Sequence, residues 1–191
     1  MFRSNKRIAV FIDGSNWFET FKSVGLQPDY QRMLKYFDKQ GDLIRANYYT
    51  AMKDYSEEEN LLRPLVDWMD YNGYNVVTKP TKSFLDPRTG ENKVKGNMDI
   101  EIALDMVELT PYVSDMWLFS GDGDFIPIVK YVQQHGVRVT VVSTILSRPN
   151  PMISDSLRRQ ADKFIDIGIE RDDSMSDFRQ RITRDPRERE E

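Results

Sequence analysis

Two short aspartate-containing segments carry the side chains best suited to chemistry in this 191-residue chain. The segment Asp13–Asn16 follows the apolar run Ile8–Ile12, and the segment Ser120–Asp124 follows a second apolar run that starts at Met116. If both runs are strands of an open parallel sheet, ligands bind beyond their carboxyl ends, beside the switch in strand order. The first and fourth strands of such a sheet are commonly neighbours, so we expect the aspartates and the asparagine of both segments to meet in one crevice.

The same residues also have a purely structural interpretation as helix caps and turns. Asp13 could cap the helix that follows the first run, and Asp124 could cap the helix that follows the second. A third acidic position, Asp99 after Asn97, could act through the dipole of its helix alone. One polar side chain per helix is enough for capping, so this interpretation leaves Asp122 without a role.

Repulsion between clustered carboxylates separates the two interpretations. Two like charges about 4 Å apart repel by roughly 4 kcal/mol at an effective dielectric constant of about 20. Such a cluster therefore takes up protons or binds a cation. The chain has no cysteine and a single histidine, His135, so the ligands would be carboxylate oxygens, which suit Mg²⁺ or Mn²⁺ better than zinc.

Other catalytic and phosphate-binding motifs are missing from the sequence. The absence of cysteine excludes thiol nucleophiles, disulfide frameworks and zinc ribbons, and a single histidine argues against a Ser-His-Asp triad. The triplet Gly121-Asp122-Gly123 lacks the third glycine of a dinucleotide fingerprint, and the chain has no Walker loop. Aspartates that hold Mg²⁺ at strand ends instead suit phosphodiester hydrolysis, because the ion orients a water nucleophile and neutralises charge on the phosphate.

Apolar runs of strand length alternate with longer helical patterns, which predicts an α/β domain with a parallel sheet. The predicted strands are Ile8–Ile12, Leu43–Met52, Tyr74–Lys79, Met116–Ser120 and Val137–Ser143, with a last extended piece at Phe164–Ile167. The predicted helices are Trp17–Lys39 (broken near Gly25 and Pro28), Ser56–Tyr71 (with a Ser56/Glu59 capping box), Asn97–Leu109, Asp124–Gln134 and Ser154–Gln160. Residues 80–96 are predicted to form a loop.

Composition places the chain among ordinary globular proteins. Its net charge of −4 excludes a strongly basic chromatin-type binder, and its apolar stretches are too short for a membrane span or a secretory signal. We therefore expect a cytoplasmic protein with no membrane partner, either a monomer or a homo-oligomer. Residues 1–168 are predicted to form one domain, and residues 169–191, with 14 charged residues among 23, a disordered or appended tail.

Four segments together resemble the NYN domain, the PIN-like nuclease family that includes the LabA-like proteins. They are IAVFIDGSN (Ile8–Asn16), KGNMDIEIALDM (Lys95–Met106), FSGDGDFIP (Phe119–Pro127) and SLRRQADKFIDI (Ser156–Ile167). The similarity spans about residues 6–168 and keeps the family's order. The resemblance implies a PIN-like three-layer α/β/α sandwich with a central parallel sheet, in which the predicted strands follow the order 3-2-1-4-5. It also implies cleavage of RNA that depends on Mg²⁺ or Mn²⁺.

The resemblance carries the family's acidic residues to Asp13, Asp99, Asp122 and Asp124, as metal ligands and catalytic residues. The family's polar companion corresponds to Asn16, which would fix a carboxylate or a coordinated water. LabA-like relatives are associated with regulation, so a non-catalytic module that binds RNA or protein is the alternative function. A phosphatase acting on small phosphoesters is a second enzymatic alternative.

The segment Lys79–Lys95 has a local net charge of +3 and leads directly into the third acidic position. We expect it to contact substrate phosphates, with Lys95 and Lys93 as RNA-binding residues and Phe84 available to stack on a base. A solvated loop is the alternative. Ser120 is a further predicted substrate-binding residue, and the expected partner is single-stranded or structured RNA.

The remaining polar and aromatic residues of interest have mainly structural interpretations. Trp68 and Trp117 are expected in the core, whereas Trp17, beside Asn16, is predicted to flank the crevice. Asp105 lies too far round its helix from Asp99 to share a site and is predicted to support the site or face solvent.

Four charged residues near the end of the domain are interpreted in the same way. Asp162 and Asp166 are predicted to dock and cap the last elements. Arg158 and Arg159 either extend the grip on RNA or lie on a helix surface.

Overall fold

The computed structural model of the chain describes residues 6–52, 62–85, 92–95, 97–169 and 179–181, with the backbone alone for 82–85, 92–95 and 179–181. The predicted capping box of Ser56 and Glu59 lies outside these residues. The side chains of Phe84, Lys93 and Lys95 also lie outside the described part of the chain.

Strands and helices alternate through most of the described residues. The strands are β1 (Arg7–Asp13), β2 (Leu26–Pro28), β3 (Asp42–Met52), β4 (Asn75–Pro80), β5 (Lys82–Leu85), β6 (Asn92–Lys95), β7 (Asp115–Phe119), β8 (Arg138–Ser143), β9 (Lys163–Asp166) and β10 (Arg179–Arg181). The helices are α1 (Gly14–Ser23), α2 (Tyr30–Gln40), α3 (Arg63–Tyr71), α4 (Asp99–Leu109), α5 (Ile126–Gln134) and α6 (Asp155–Gln160), with 3₁₀ turns at Thr110–Tyr112 and Gly123–Phe125. Among the described residues, no helix has both the length and the apolar character that crossing a membrane requires.

Six strands form a parallel sheet in the order β4-β3-β1-β7-β8-β9. Strand β1 is central, and its Val10 lies between Ala46 of β3 and Trp117 of β7. The uninterrupted apolar run of β1 suits this place, because both faces of a central parallel strand are buried. The predicted strand order 3-2-1-4-5 is confirmed. Strand β9, predicted as an extended piece, adds a sixth strand at the edge.

Alternate residues of β1 point to opposite faces of the sheet and divide the core in two. Ile8, Val10 and Ile12 pack in a cluster with α1, α2 and α3, whereas Ala9 and Phe11 pack in a cluster with α4, α5 and α6. Burial of each large apolar side chain contributes about 1.5–3 kcal/mol. The result is the predicted three-layer α/β/α sandwich, with helices on both faces of the sheet.

The tryptophans all belong to the layer that contains α1 and α2. Trp17 is fully buried and packs edge-to-face on Phe21 and Phe119, with ring centroids 4.4 and 4.7 Å apart. The prediction that Trp17 flanks the crevice is therefore wrong, because α1 turns this ring onto the sheet. Trp117 is buried as predicted, and Trp68 is half-buried against the same cluster.

Two segments contain strands that the sequence pattern does not reveal. Residues 80–96, predicted as a loop, contain β5 and β6, which pair antiparallel with Lys82 opposite Lys95. Each strand is four residues long, so it shows no clear apolar periodicity in the sequence. In the predicted tail, β10 pairs antiparallel with β2 and places Arg179 opposite Pro28.

Gly14 sets how closely the start of α1 approaches β3. A methyl group on its Cα would lie 2.7 Å from both the Tyr48 hydroxyl and the Tyr49 carbonyl oxygen. We predict that Gly14→Ala lowers the free energy of unfolding by about 1–3 kcal/mol, the usual cost of overpacking. Urea denaturation measures the change, and Lys35→Ala on an exposed position of α2 is the control. Equal stability of the two variants would contradict the tight approach.

Candidate active site

Three carboxylates from different parts of the chain converge at the carboxyl edge of the sheet. Asp99 is the first residue of α4, whereas Asp122 and Asp124 follow the end of β7. Each offers one oxygen, and the three oxygens all lie within 4.8 Å of one another. Asp99 and Asp122 are half-buried, and Asp124 is exposed. We call these three residues the acidic cluster.

Asp13, at the end of β1, lines a cleft of about 370 Å³ together with two members of the acidic cluster. Its Oδ1 accepts hydrogen bonds from the Ser15 hydroxyl at 3.0 Å and from the Asn16 amide at 3.2 Å. Its Oδ2 accepts a hydrogen bond from the Ser120 hydroxyl at 3.1 Å. The Asn16 contact is the helix cap that the structural interpretation predicts. The three donors fix the orientation of the carboxylate, and Oδ2 keeps lone-pair capacity for a cation.

Asn16 joins the turn after β1 to the turn after β7. Its Oδ1 accepts a hydrogen bond from the Gly121 amide at 3.0 Å, and its carbonyl oxygen accepts one from the Thr20 hydroxyl at 2.7 Å. On its other side, Gly121 packs so tightly that a methyl group on it would overlap the Met152 carbonyl oxygen. Asn16 therefore fixes the loop that carries two members of the acidic cluster.

Ser120, predicted to bind substrate, is enclosed in the protein. Its hydroxyl donates to Asp13, accepts a 3.3 Å hydrogen bond from the Asp122 amide, and belongs to a residue only 1% exposed. Enclosed in this way, the hydroxyl orients the Asp13 carboxylate, and its contact with substrate stays a prediction. The other predicted substrate contacts, Lys93 and Lys95, have side chains outside the described residues.

Capping and clustering occur in the same residues. Asp122 Oδ1 accepts a 2.9 Å hydrogen bond from the Asp124 amide and so caps the 3₁₀ turn Gly123–Phe125. The structural interpretation predicts Asp124 as the cap of the next helix, but α5 begins after Phe125 without a side-chain cap. Asn97 holds Asp99 at two atoms: its Oδ1 accepts from the Asp99 amide and its Nδ2 donates to Asp99 Oδ2, each at 2.7 Å. Caps account for these hydrogen bonds, but they do not require the carboxylates to share one cleft.

Two of the four aspartates, Asp13 and Asp99, have raised pKa values. Burial raises the pKa of Asp13 above its ordinary value and the charge of Asp122 raises it further, although three hydrogen bonds oppose the change. Burial likewise raises the pKa of Asp99, and the charges of the other three aspartates add to the rise while the hydrogen bond from Asn97 opposes it. At neutral pH the folded protein therefore carries a repulsion that protons or a cation would relieve.

Two contacts tie α4 to the sheet and so position Asp99. Lys79 Nζ of β4 lies 2.7 Å from Glu101 Oε1, and the Tyr49 hydroxyl of β3 donates a 2.7 Å hydrogen bond to Asp105 Oδ2. The hydrogen bond from Lys79 lowers the pKa of Glu101. Asp105 thus supports the site, one of the two positions predicted for it. Lys79, the first residue of the basic segment predicted to contact phosphates, pairs with Glu101 within the protein. Sequence reasoning missed both pairs, because each joins residues distant along the chain and no local pattern marks them.

The charged residues near the end of the domain act structurally. Asp162 and Asp166 each accept hydrogen bonds from backbone amides of β8 or the loop after it, at 2.8 and 2.9 Å, and so dock the last elements as predicted. Arg158 and Arg159 both pair with Asp155 on the exposed side of α6, which supports their surface interpretation.

The same fold is found in a known family and in a solved structure. The family model of the NYN domain matches residues 7–170, and the chain belongs to this family. It is 35% identical over 164 residues to the low amplitude and bright protein LabA of Synechococcus elongatus. The matched region covers 84% of this chain and 83% of LabA. It is also similar to the crystal structure of a protein of unknown function from Vibrio parahaemolyticus, with a TM-score of 0.70 and 27% identity. That match covers 94% of this chain and 100% of the other. The predicted family and PIN-like fold are confirmed.

Removing one charge from the acidic cluster is expected to stabilise the metal-free fold. Asp122→Asn keeps the Oδ1 atom that accepts the Asp124 amide and removes a charge that raises the pKa of Asp13 and Asp99. We predict a rise in the free energy of unfolding on the order of 1 kcal/mol at neutral pH, the scale of one pKa unit. The rise should shrink as the pH falls, because protonation of Asp13 and Asp99 in the wild type removes the same repulsion.

Urea denaturation in the presence of EDTA, at neutral and at mildly acidic pH, measures this difference. Asp38→Asn is the matched control, because Asp38 is an exposed residue of α2. It lies four positions before Asp42, whose backbone is paired with that of Arg7 at the amino end of the strands. If Asp122→Asn is no more stable than Asp38→Asn at neutral pH, the inferred repulsion is absent.

Proposed function

We propose that this protein is a metal-dependent ribonuclease that hydrolyses RNA phosphodiester bonds at the acidic cluster. The observation that carries the proposal is the placement of Asp99, Asp122 and Asp124 within 4.8 Å of one another, in a member of the NYN family. A fold alone does not specify chemistry. The cluster supports a cation site, and the family supports RNA as the substrate.

The donor set suits Mg²⁺ or Mn²⁺. Asp99, Asp122 and Asp124, with Asp13 at the side of the cleft, offer carboxylate oxygens, the ligands that hard divalent cations prefer. When bound, such an ion supplies electrophilic activation of water and neutralises charge on the attacked phosphate. No cysteine is present in the sequence, and the single histidine, His135, lies at the end of α5 and contacts Tyr131.

The surrounding residues hold the carboxylates in place. Ser15 and Ser120 keep the Asp13 carboxylate in one orientation, and Asn97 does the same for Asp99. Asn16 holds the loop after β7 through the Gly121 amide. These hydrogen bonds hold the carboxylates in place before any substrate binds, as the ligands of a metal site must be held.

RNA would approach over the β5–β6 hairpin, which leads into α4. Strand β6 ends at Lys95, four positions before Asp99 along the chain. Lys93 and Lys95 are proposed phosphate contacts on the basis of their charge and this connection. Their position in an antiparallel hairpin also makes them less free than in the predicted loop.

A non-catalytic regulatory module that binds RNA or protein is the second candidate function. The similarity to LabA over most of both chains favours it. A regulatory module would use the same cleft and the same proposed cation site as the nuclease, but it would not cleave RNA.

Loss of one ligand should abolish RNA cleavage. With Mn²⁺ and labelled single-stranded RNA, we expect the wild type to cut and Asp122→Asn to cut at least about a hundredfold more slowly, because the ion supplies several kcal/mol of charge stabilisation. Gel analysis of the products measures the rates, with Asp38→Asn as the control that keeps the wild-type rate. Cleavage by Asp122→Asn at the wild-type rate would contradict the proposed ribonuclease activity of the acidic cluster.

Metal binding can be tested independently of turnover. We expect millimolar Mn²⁺ to stabilise the wild type by RT ln(1 + [Mn²⁺]/Kd), about 2.7 kcal/mol when the ion is at a hundred times its Kd. Thermal melting of the wild type and of Asp99→Asn measures this gain, which the variant should largely lose. Stabilisation by Mn²⁺ without cleavage would favour the regulatory module, whereas no stabilisation would leave only the capping interpretation.

A further inference from the structure

A cavity of about 600 Å³ lies beside the cleft that contains the acidic cluster. The two spaces share lining residues, because Ser15 and Glu19 of α1 border both. Ser15 donates to Asp13, so the border is one hydrogen bond away from the carboxylates. A polymer bound at the acidic cluster would therefore have this cavity within reach of its neighbouring units.

The lining of the cavity selects against phosphate. Apolar and aromatic side chains of α1, β2, α2, β3 and α3 form most of it, among them Phe18, Tyr30, Tyr48 and Leu65. Among the described residues that line it, Glu19 is the one charged residue, and it is negative. A phosphate group would lose its solvation there and be repelled, whereas an uncharged planar ring would bury apolar faces.

Phe18 is an exposed aromatic ring on a helix whose other aromatic rings are buried. Its side chain lies at the cavity and is 56% exposed, whereas Trp17 and Phe21 of the same helix are buried in the core. Packing among the residues that the structure describes leaves more than half of this ring exposed. Aromatic rings beside a polynucleotide groove bind bases by stacking. The exposed aromatic residue of α1 is thus Phe18, the neighbour of Trp17, and it lies at the cavity beside the cleft.

Polar groups at the wall of the cavity match the edges of a nucleobase. Gln27 of β2, Thr50 of β3 and Thr81 after β4 line the same space as the aromatic rings. Amide and hydroxyl groups can donate to and accept from a base edge, because each carries both functions. A planar ligand with apolar faces and a polar rim fits this distribution.

We propose that this cavity binds a nucleobase of the RNA, with Phe18 as the stacking residue, while the adjoining phosphate lies at the acidic cluster. The inference rests on the proposed function only in taking RNA as the ligand of the cleft. Phe18 is a binding residue, and it contributes to affinity and to the choice of cleavage position.

Binding of short oligonucleotides tests the assignment without relying on turnover. Ca²⁺ replaces Mn²⁺, and the probes are fluorescently labelled oligoadenylate, oligouridylate and an abasic ribose-phosphate chain of the same length. We expect the wild type to bind at least one base-bearing probe more tightly than the abasic chain. Phe18→Ala should weaken that binding roughly 5- to 150-fold, the range found for aromatic stacking on a base. Its affinity for the abasic chain should be unchanged.

Two further variants make the result specific. Tyr112→Ala removes an aromatic ring of similar exposure, 53%, beyond the far end of α4, and should keep the preference for bases. Phe18→Trp should restore what Phe18→Ala loses, and thermal melting shows that each variant folds. Equal affinity of the wild type for base-bearing and abasic chains, no binding of any probe, or equal weakening of all probes by Phe18→Ala overturns the assignment.

The outcome is separable from that of the proposed function. A protein that prefers base-bearing probes through Phe18 but never cleaves RNA supports the base site and contradicts the nuclease. A protein that cleaves RNA but shows no base preference supports the nuclease and contradicts the base site.

Discussion

Repulsion among four aspartates is the constraint around which the carboxyl edge of this sheet is built. Each negative charge would be better solvated apart from the others, yet the fold brings Asp13, Asp99 and Asp122 to one cleft and places Asp124 beside the last two. Local donors make this tolerable: three hydroxyl and amide groups hold Asp13, and Asn97 holds Asp99. Burial, and to a smaller degree the neighbouring charges, still raise the pKa of both residues, so the hydrogen bonds do not compensate fully. A divalent cation would complete the compensation, which is the physical reason for proposing the cluster as a cation site.

Only a parallel arrangement of the strands can assemble this cleft. Strand β1 lies between β3 and β7, so the turns after β1 and β7 leave the same edge of the sheet side by side. Asn16 then joins the two turns directly, through the Gly121 amide. Helix α4 reaches the same edge because Tyr49 and Lys79 of the sheet hold its first turns through side-chain contacts. The core on both faces makes these positions rigid, since a buried apolar strand cannot shift register without exposing its side chains.

Helix α1 serves both of the spaces that we assign to RNA. Residues three and four positions apart lie on one helix face, so Ser15, Phe18 and Glu19 line a continuous surface from the acidic cleft into the apolar cavity. Trp17 and Phe21, on the opposite face, anchor the helix to the sheet. A single amphipathic helix thus couples core packing to ligand contact. The chemical contrast along its exposed face separates a place for a cation and phosphate from a place for a base.

Features that depend on patterns among neighbouring residues could be predicted from the sequence. Features that depend on the direction of a side chain and on tertiary packing could not. The apolar run of β1, the alternation of strands with helices and the acidic strand ends predicted the sheet and the positions of Asp13 and Asp122. These follow from periodicity and from rules that hold for any parallel sheet. The tertiary structure decided the direction of each side chain: it buried Trp17, exposed Phe18 at the cavity, enclosed Ser120, and made Asp122 the cap of a 3₁₀ turn. One residue along a helix or a turn changes the direction of a side chain by a large angle, and only the packing of the whole domain fixes that direction.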